Sequence, residues 1–438
     1  MKKYFFNSII IFIDILLLVG LFYLTLYIRV NLDGFNLPNL SLLELYDFSF
    51  VIFIVFSLMY YERIYIFRYD FWQETQKILK SFFMGYLLVL ALLTLTKSSL
   101  EYSRLFITIY FLLGIVLFPI AKRYVKKLIY KFSYFKKKVL VIGLDEQVEI
   151  FKNEFNNNWY LGQVYAKKDY DSVFISSKGM PVDKVNSLIT KYSNKNSELY
   201  VVPYITDINF ANSNIMEYSN IRYNTIQVEN KLLLKRSILI KNIFDKISVI
   251  IILPIFLVIH FIISILIKLD SRGVILFKQA RLGKDDKNFN CYKYRSMYED
   301  SDSLLKEYLL QNPLEIKYYD KYHKYQNDPR ITKVGKILRA TSLDELPQIL
   351  NILQGKMSLV GPRPYMVNES DKLGLNKQLI LKVKPGITGL WQVSGRNNLT
   401  FKERNELEVW YIKNWSLWAD AIILIKTIKV VLLKIGAR

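Results

Sequence analysis

Long apolar runs separated by short polar segments dominate the first third of the chain. Four of them come close to the ~20 residues that cross a bilayer. They cover residues 5–28, 48–67, 78–96 and 105–121. The first run is too long for the apolar part of a signal peptide and has no small-residue cleavage site. The pattern predicts a four-helix transmembrane bundle over residues 1–135.

Basic residues set the expected direction of these helices. Lys2 and Lys3 precede the first run, and a dense basic segment, residues 122–138, follows the fourth. Because lysine and arginine favour the cytoplasmic side, both ends of the bundle are expected there. Asp14 lies inside the first run, where it either serves a function in the membrane or reaches the interface or a neighbouring helix.

Shorter, strand-like runs follow the bundle. Residues 139–142, 199–202 and 225–228 alternate with polar helical stretches, which predicts a small α/β Rossmann-like module over residues 136–234. Gly143 ends the first strand, but no further glycine follows where a dinucleotide site would place one against the pyrophosphate. The module is therefore expected to hold no dinucleotide and to serve assembly or regulation.

One more run, residues 243–269, is long enough to span a membrane but has Pro254 near its centre. Basic residues crowd both of its flanks, so both flanks are expected in the cytoplasm. A proline-broken re-entrant hairpin meets this condition, with Asp245 near its entry. The alternative is a fifth spanning helix with a kink. Residues 235–438 are then the hairpin and a mixed, mainly α-helical catalytic domain.

An acidic pair, Asp344 and Glu345, is the first candidate for chemistry. Thr341 or Ser342 is expected to cap a helix that ends at Gly355. The pair would lie in its first turn, where the helix dipole keeps a carboxylate ionised. Adjacent helical residues point about 100° apart, so the two would do separate jobs, one as nucleophile and one as metal ligand. Simple capping is the alternative role.

Cationic side chains surround this pair in the sequence. They are Arg330, Lys333, Lys336, Arg339, Arg363 and Arg396. Guanidinium groups match phosphate oxygens, and Pro362 and Pro364 would hold the backbone of Arg363 in one conformation. Residues 386–389, Gly-Ile-Thr-Gly, add a tight segment that can approach a ligand closely.

Composition narrows the range of binding partners to be expected. The chain is 52% hydrophobic with a formal charge of +22, which favours anionic lipid or phosphorylated substrates, and no nucleic-acid partner is expected. Cys291 is the single cysteine and only two histidines occur, so neither an internal disulfide nor a zinc site is predicted. The C-terminal residues 410–434 suit a helix lying in the membrane interface, with a buried core helix as the alternative.

From residue 241 onward the motifs resemble those of one bacterial family, the polyprenyl-phosphate hexose-1-phosphate transferases, or monotopic-type phosphoglycosyl transferases. The resemblance is carried by Phe244-Asp245 before the apolar hairpin, the segments 274–281, 292–297, 328–332 and 342–348, Gly361-Pro-Arg-Pro364, and the segment 384–389. The upstream bundle and module are similar to those of the large undecaprenyl-phosphate galactose or glucose phosphotransferases. Asn242 and Glu408 depart from the usual arginine and aspartate.

The resemblance implies a reaction and roles. Asp344 would attack the β-phosphate of a UDP-sugar, release UMP and pass the sugar phosphate to undecaprenyl phosphate at the cytoplasmic face of the inner membrane. Glu345, with Asp344, would hold Mg²⁺. Phosphate or nucleotide binding would fall to Arg339, Pro362, Arg363, Pro364, Arg396, Gln279, Arg281 and Arg330. A homodimer is a further expectation. Two rival classes stay open: a polyprenyl-lipid glycosyltransferase that releases UDP, and a non-enzymatic polysaccharide assembly protein.

Overall fold

A computed structural model describes residues 2–31, 45–96, 103–193, 198–203, 214–218, 223–227, 230–299, 301–313, 315–316, 325, 328–395 and 399–432. The chain divides into two compact units, Met1–Ile205 and Thr206–Arg438. The first unit joins the apolar helices and a parallel sheet. The three-part division expected from the sequence stays a prediction.

Four helices form the apolar part of the first unit. They are α1 (Lys2–Val30), α2 (Leu45–Tyr61), α3 (Phe71–Leu95) and α4 (Arg104–Ile129). Their common core is rich in aromatic rings. Gly114 of α4 lies where any side chain would overlap the Phe82 ring of α3, so the two helices pack closely. The second apolar run was predicted to be helical to residue 67, but α2 ends at Tyr61.

The predicted helix was too long because the apolar residues at its end are buried in turns that follow α2. Residues 62–67 form turns after α2, and in them Ile64 and Tyr65 are buried against the bundle core. Among the described residues, α1, α3, α4 and one helix of the second unit are long and apolar enough to cross a membrane, whereas α2 is shorter. These apolar helices indicate a membrane protein.

Buried charges inside the bundle neutralise one another. Asp14 of α1 pairs with Lys122 of α4, and Glu74 of α3 pairs with Lys126 of α4. Lys122 also lies 3.3 Å from Glu74. Of the two roles considered for Asp14, the structure gives the contact with a neighbouring helix.

The remainder of the first unit contains a four-stranded parallel sheet in the order β2-β1-β3-β4. Its strands are β1 (Lys137–Ile142), β2 (Gln163–Tyr165), β3 (Ser172–Ser176) and β4 (Glu198–Val202), with helices α5 (Asp145–Asn157) and α6 (Val182–Ser193) between them. The predicted strands at 139–142 and 199–202 are confirmed. The third predicted run overlaps a strand of the second unit, and the Rossmann-like assignment stays a prediction.

The second unit begins with a β-hairpin and one long helix. Strands β5 (Asn214–Tyr218) and β6 (Tyr223–Gln227) pair antiparallel. Helix α7 (Lys235–Asp270) is 36 residues long in total and continues through Pro254. The predicted break in the helix at that proline is therefore wrong. A proline removes one backbone hydrogen bond, and the long apolar arms on both sides favour helical continuation in lipid. The re-entrant course stays a prediction.

The second unit also contains a β-ribbon, a short parallel strand pair and several helices. The ribbon pairs β7 (Leu276–Leu282) with β8 (Asn288–Tyr294), and the parallel pair joins β9 (Ser358–Val360) to β10 (Gly386–Thr388). The helices after the ribbon are Ser301–Gln311, Lys333–Thr341, Gln348–Leu353, Lys377–Ile380, Leu390–Ser394, Phe401–Lys413 and Leu417–Leu432. One apolar core joins α7, β8, β9 and the C-terminal helices.

The C-terminal stretch is two helices, not the single interfacial helix expected. Phe401–Lys413 ends before Trp415, and Leu417–Leu432 follows. Tyr411, Trp415 and Ile423 are buried in the apolar core, as the core alternative anticipated, while Ile428 is exposed. Apolar spacing alone could not separate these two environments.

Candidate active site

Asp344 and Glu345 lie in a tight turn between two helices. The helix Lys333–Thr341 is followed by Ser342, whose φ of 57° is left-handed, and Leu343–Glu345 forms a 3-10 turn. The expected cap is therefore wrong: Thr341 is the last residue of the preceding helix, and the side chain of Ser342 makes no capping hydrogen bond. The next helix starts only at Gln348, after Pro347. The acidic pair is thus held by a helix-turn-helix corner.

A buried carboxamide fixes this corner against the β-ribbon. Asn351, with none of its surface exposed, accepts a hydrogen bond from the Tyr292 N–H at 3.0 Å and donates to the Asn290 carbonyl at 2.8 Å. Its amide thus pairs with the outer edge of β8 as a neighbouring strand would. This contact positions the acidic turn relative to β8.

The ribbon brings three motif side chains to one face. In its register Phe277 lies opposite Lys293 and Gln279 lies opposite Cys291. Because side chains alternate along a strand, Gln279, Arg281 and Lys293 share a face of the ribbon. Arg281 is buried and donates to the Gln279 carboxamide at 2.6 Å. The sequence placed the first two in the site but did not name Lys293.

Lys293 joins the ribbon to the acidic pair. Its ammonium lies 2.6 Å from Glu345 Oε1 and 3.9 Å from Asp344 Oδ2. The two carboxylates therefore converge on one cation, although an ideal helix would have pointed them apart. The strand register, which places residue 293 beside residues 277 and 279, was the signal that could have identified this lysine.

The electrostatics of Asp344 differ from the sequence expectation. Burial raises the pKa of its carboxyl, while the Lys293 and Arg339 charges oppose that shift and the Glu345 charge adds to it. The helix dipole had been expected to keep the group ionised. In the short turn, loss of water is the largest influence on this pKa, and the nearby cations favour the ionised form against it.

The segment from Pro362 to Pro364 lies beside the ribbon. Arg281 donates to the Pro364 carbonyl at 3.1 Å, and the Arg363 N–H donates to Glu408 Oε1 at 2.7 Å. Glu408 also accepts from the Tyr365 hydroxyl at 2.5 Å. Glu408, noted in the sequence as a departure from the usual aspartate, therefore holds the backbone of the arginine motif.

The other predicted cations have different surroundings. Arg339 donates to the Ser296 hydroxyl at 2.8 Å, and burial lowers its pKa while the Asp344 charge raises it. Arg330 donates to both carboxylate oxygens of Asp328, at 2.8 and 2.7 Å. Arg339 thus faces the acidic turn, whereas the fork of Arg330 is already occupied. Arg396 lies outside the described residues.

Close packing within the protein explains the two glycines of the segment 386–389. A Cβ on Gly386 or Gly389 would overlap the backbone of Gly361. Gly361 in turn donates to the Thr388 carbonyl at 2.9 Å. Close approach to a ligand was predicted, but the close approach here is between the segment and the arginine motif that it supports.

Helix α7 is anchored to the same unit at both ends. Near its start, Asp245 accepts from the Ser358 hydroxyl at 2.7 Å and from the Leu359 N–H at 3.2 Å. At its end, Asp270 accepts from the Val334 N–H at 3.0 Å. Asn242, the other departure, accepts from Lys384 at 2.8 Å. The predicted entry carboxylate is thus a contact between α7 and β9.

The acidic pair also bears on metal binding. No group of three or more histidine, cysteine, aspartate or glutamate side chains suited to a metal exists among the described residues. Mg²⁺, however, commonly takes only one or two protein carboxylates and completes its shell with water and substrate phosphates. Since Asp344 and Glu345 both reach the position of one ammonium, the pair fits that mode.

Comparison with known proteins identifies the family. Residues 236–434 match the model for bacterial sugar transferases. An undecaprenyl-phosphate galactose phosphotransferase of Salmonella typhimurium is 33% identical over 404 residues, covering 86% of this chain and 84% of that protein. The UDP-galactose-lipid carrier transferase of Erwinia amylovora is 31% identical over 408 residues, covering 86% and 84%.

A third relative extends the match across nearly the whole chain. The galactosyl transferase CpsE of Streptococcus agalactiae is 33% identical over 431 residues, covering 90% of this chain and 94% of that protein. The chain belongs to the bacterial sugar transferase family, and the resemblance read from its motifs is confirmed.

Proposed function

We propose that the protein transfers a hexose-1-phosphate from a UDP-sugar to undecaprenyl phosphate and releases UMP. The observation that carries the proposal is a half-buried carboxylate, Asp344, beside the cations Lys293 and Arg339, with Arg281 and Arg363 on the neighbouring ribbon and 362–364 segment. Two relatives that align with most of this chain are named for a galactose phosphotransferase and a UDP-galactose-lipid carrier transferase. UDP-galactose is accordingly the first donor to test.

The chemistry proceeds in two displacements. A carboxylate oxygen of Asp344 attacks the β-phosphorus, the bond from that phosphorus to the bridging oxygen of the diphosphate breaks, and UMP leaves. A phosphate oxygen of the lipid then attacks the phosphoaspartyl group and restores the Asp344 carboxylate. Division into two steps replaces one difficult reaction between two phosphates with two easier ones.

The surrounding residues have distinct roles in this scheme. Lys293 favours the ionised form of Asp344, and the charge of Arg339 acts in the same direction. Mg²⁺, held by Glu345 with Asp344, would neutralise the diphosphate and favour UMP as leaving group. Arg281 and Arg363 bind phosphate oxygens, for which the guanidinium fork is well shaped.

Membrane placement follows from the acceptor, whose phosphate lies at headgroup depth. The contacts of Asp245 with β9 and of Asp270 with Val334 tie both ends of α7 to one unit. This supports a re-entrant course through the inner membrane with both flanks on the cytoplasmic side. Labelling of single cysteines at the exposed Lys235 and Arg272 tests it. Opposite accessibility at these two positions would exclude the re-entrant course.

A donor labelled with ³²P in its β-phosphate separates the rival functions. Transfer of the sugar phosphate moves the label to the lipid and leaves unlabelled UMP. A glycosyltransferase instead leaves the label in UDP, and an assembly protein leaves it in the donor. Without lipid acceptor, the label should bind covalently to the protein and be released by hydroxylamine, which cleaves acyl phosphates. Absence of the label from both lipid and protein would contradict the proposal.

A further inference from the structure

A tryptophan in the second unit lies near two guanidinium groups. Trp391, two residues after the glycine segment 386–389, has Arg363 Cζ 5.9 Å and Arg404 Cζ 5.1 Å from its ring centroid. Its side chain is 9% exposed, and its indole N–H has no hydrogen-bond partner among the described residues. A buried donor without a partner is costly, so this group indicates a missing acceptor.

The charges around Trp391 point to an anionic acceptor. Burial and the charge of Arg363 lower the pKa values of both Arg281 and Arg404, so the three guanidinium groups repel one another. Glu369 is 3.9 Å from Arg363, and the two oxygens of Glu408 already accept from Arg363 N–H and Tyr365. Glu345, which also acts on Arg281, is paired with Lys293. The three guanidinium groups therefore outnumber the two carboxylates that remain beside them, Glu369 and Glu408.

The cluster is continuous with the acidic turn. Arg363 belongs to the segment whose Pro364 carbonyl accepts from Arg281. Arg281 shares the ribbon face with Lys293, which contacts Glu345. Arg404 adds a residue from the helix Phe401–Lys413, which the sequence did not assign to the site.

We propose that Arg363, Arg404 and the indole N–H of Trp391 form a phosphate-binding subsite beside the acidic turn. Two guanidinium forks and one N–H donor suit the oxygens of a phosphate. Within the proposed function, that phosphate is either the nucleotide phosphate or the lipid phosphate. The inference rests on the proposed function only for the identity of these two candidates.

Binding measurements test the subsite without turnover. Thermal-shift titrations of the full chain use two pairs of probes that differ by phosphate: UMP against uridine, and undecaprenyl phosphate against undecaprenol. Arg404→Gln should weaken binding of UMP or of undecaprenyl phosphate roughly tenfold or more, because a charge-assisted contact is lost, and leave the phosphate-free probes unchanged. Trp391→Phe keeps the ring but removes the donor and should weaken the same probe by a smaller factor.

Lys402→Gln is the matched control, since Lys402 is an exposed cation two residues before Arg404 on the same helix. It should bind all probes as the unaltered protein does. If Arg404→Gln does not fold, Arg404→Lys keeps the charge and loses the fork, and partial weakening is expected. Unchanged binding of both phosphates in a folded Arg404 variant would overturn the subsite.

Kinetics identify the source of the phosphate. In a two-step reaction, kcat/KM for each substrate reports its own half-reaction. A selective loss for UDP-sugar assigns the subsite to the nucleotide, and a selective loss for undecaprenyl phosphate assigns it to the lipid. Binding that depends on Arg404 in a protein that never releases UMP would keep the subsite and refute the proposed function.

Discussion

The helical bundle of the first unit and the acidic-turn region of the second unit handle charge in opposite ways. In the first, Asp14 and Glu74 are matched by Lys122 and Lys126, so that two acids and two bases cancel inside an apolar bundle. In the second, five cationic side chains around the acidic turn and the 362–364 segment, Arg281, Lys293, Arg339, Arg363 and Arg404, outnumber the four carboxylates near them, Asp344, Glu345, Glu369 and Glu408. Cancelled charge indicates a structural role, whereas uncompensated charge indicates a place for a charged ligand. The predictions below test this contrast.

The largest effect is expected from Asp344→Asn. The amide keeps the shape of the side chain but removes the nucleophile, so turnover should fall by ~10³-fold or more. UMP release is the measurement. Asp371→Asn, a change at an exposed carboxylate of the same unit, should retain full activity. Substantial UMP release by the Asp344 variant would refute the covalent route.

Lys293→Met should follow, with roughly a 10- to 100-fold loss in kcat/KM for the donor. The lysine charge lowers the pKa of Asp344, so its removal raises that pKa further, and the carboxylate is then lost at a higher pH. The acidic limb of the pH profile should therefore move to higher pH. Lys278→Met, on the opposite face of the same ribbon, is the control. An acidic limb at the same pH in the variant would show that Lys293 does not control the ionisation of Asp344.

Glu345→Gln should reduce the rate and weaken the dependence on Mg²⁺ together. A neutral amide is a poorer ligand for this hard cation than a carboxylate, so roughly ten times more Mg²⁺ should be needed for half-maximal activity. A magnesium titration of donor turnover measures the effect. An unchanged titration curve at normal rate would remove Glu345 from metal binding.

Lys122→Met should change stability and leave catalysis intact. Removal of one partner from a buried ion pair leaves the other charge buried without compensation, which lowers the free energy of unfolding by about 3–5 kcal/mol. The rate per folded molecule should remain within roughly twofold, because the bundle charges are structural. Asp14→Asn combined with Lys122→Met should recover part of the stability. A large change in kcat/KM would show that the charges of the bundle are not only structural.

The smallest effect is expected from Glu408→Gln. Burial raises the pKa of Glu408 from 4.5 to about 7. A raised carboxyl pKa contributes stability below pH 4.5 that is lost as the pH rises to about 7. Thermal midpoints measured from pH 5 to pH 8 should therefore vary less in the variant. Identical pH dependence in both proteins would show that Glu408 does not titrate in this range.

Long apolar runs and regular hydrophobic patterns made the fold partly predictable. The apolar helices and two strands of the parallel sheet follow from the sequence, because bilayer length and strand alternation leave clear signals. The end of α2 at Tyr61 did not follow, since Ile64 and Tyr65 are apolar for packing outside a helix. Continuity of α7 through Pro254 also did not follow, because long helical arms outweigh one lost hydrogen bond.

The site was predictable as a set of motifs but not as a geometry. Asp344, Glu345, Arg281 and Arg363 were named from the sequence. Lys293 was not, because its position depends on the register of β7 against β8, which local patterns do not encode. Residue-by-residue propensity also suggested a helix cap at Thr341 or Ser342, but Thr341 ends the preceding helix and Ser342 is a left-handed residue after it.

The carboxamide of Asn351 has a consequence for association between molecules. A two-stranded ribbon leaves unpaired N–H and C=O groups along its edges, and such edges invite pairing with another chain. Asn351 satisfies one N–H and one carbonyl on the edge of β8. The same contact that aligns the acidic turn thus shields the ribbon against edge-to-edge aggregation, and loss of the carboxamide would reduce solubility as well as activity.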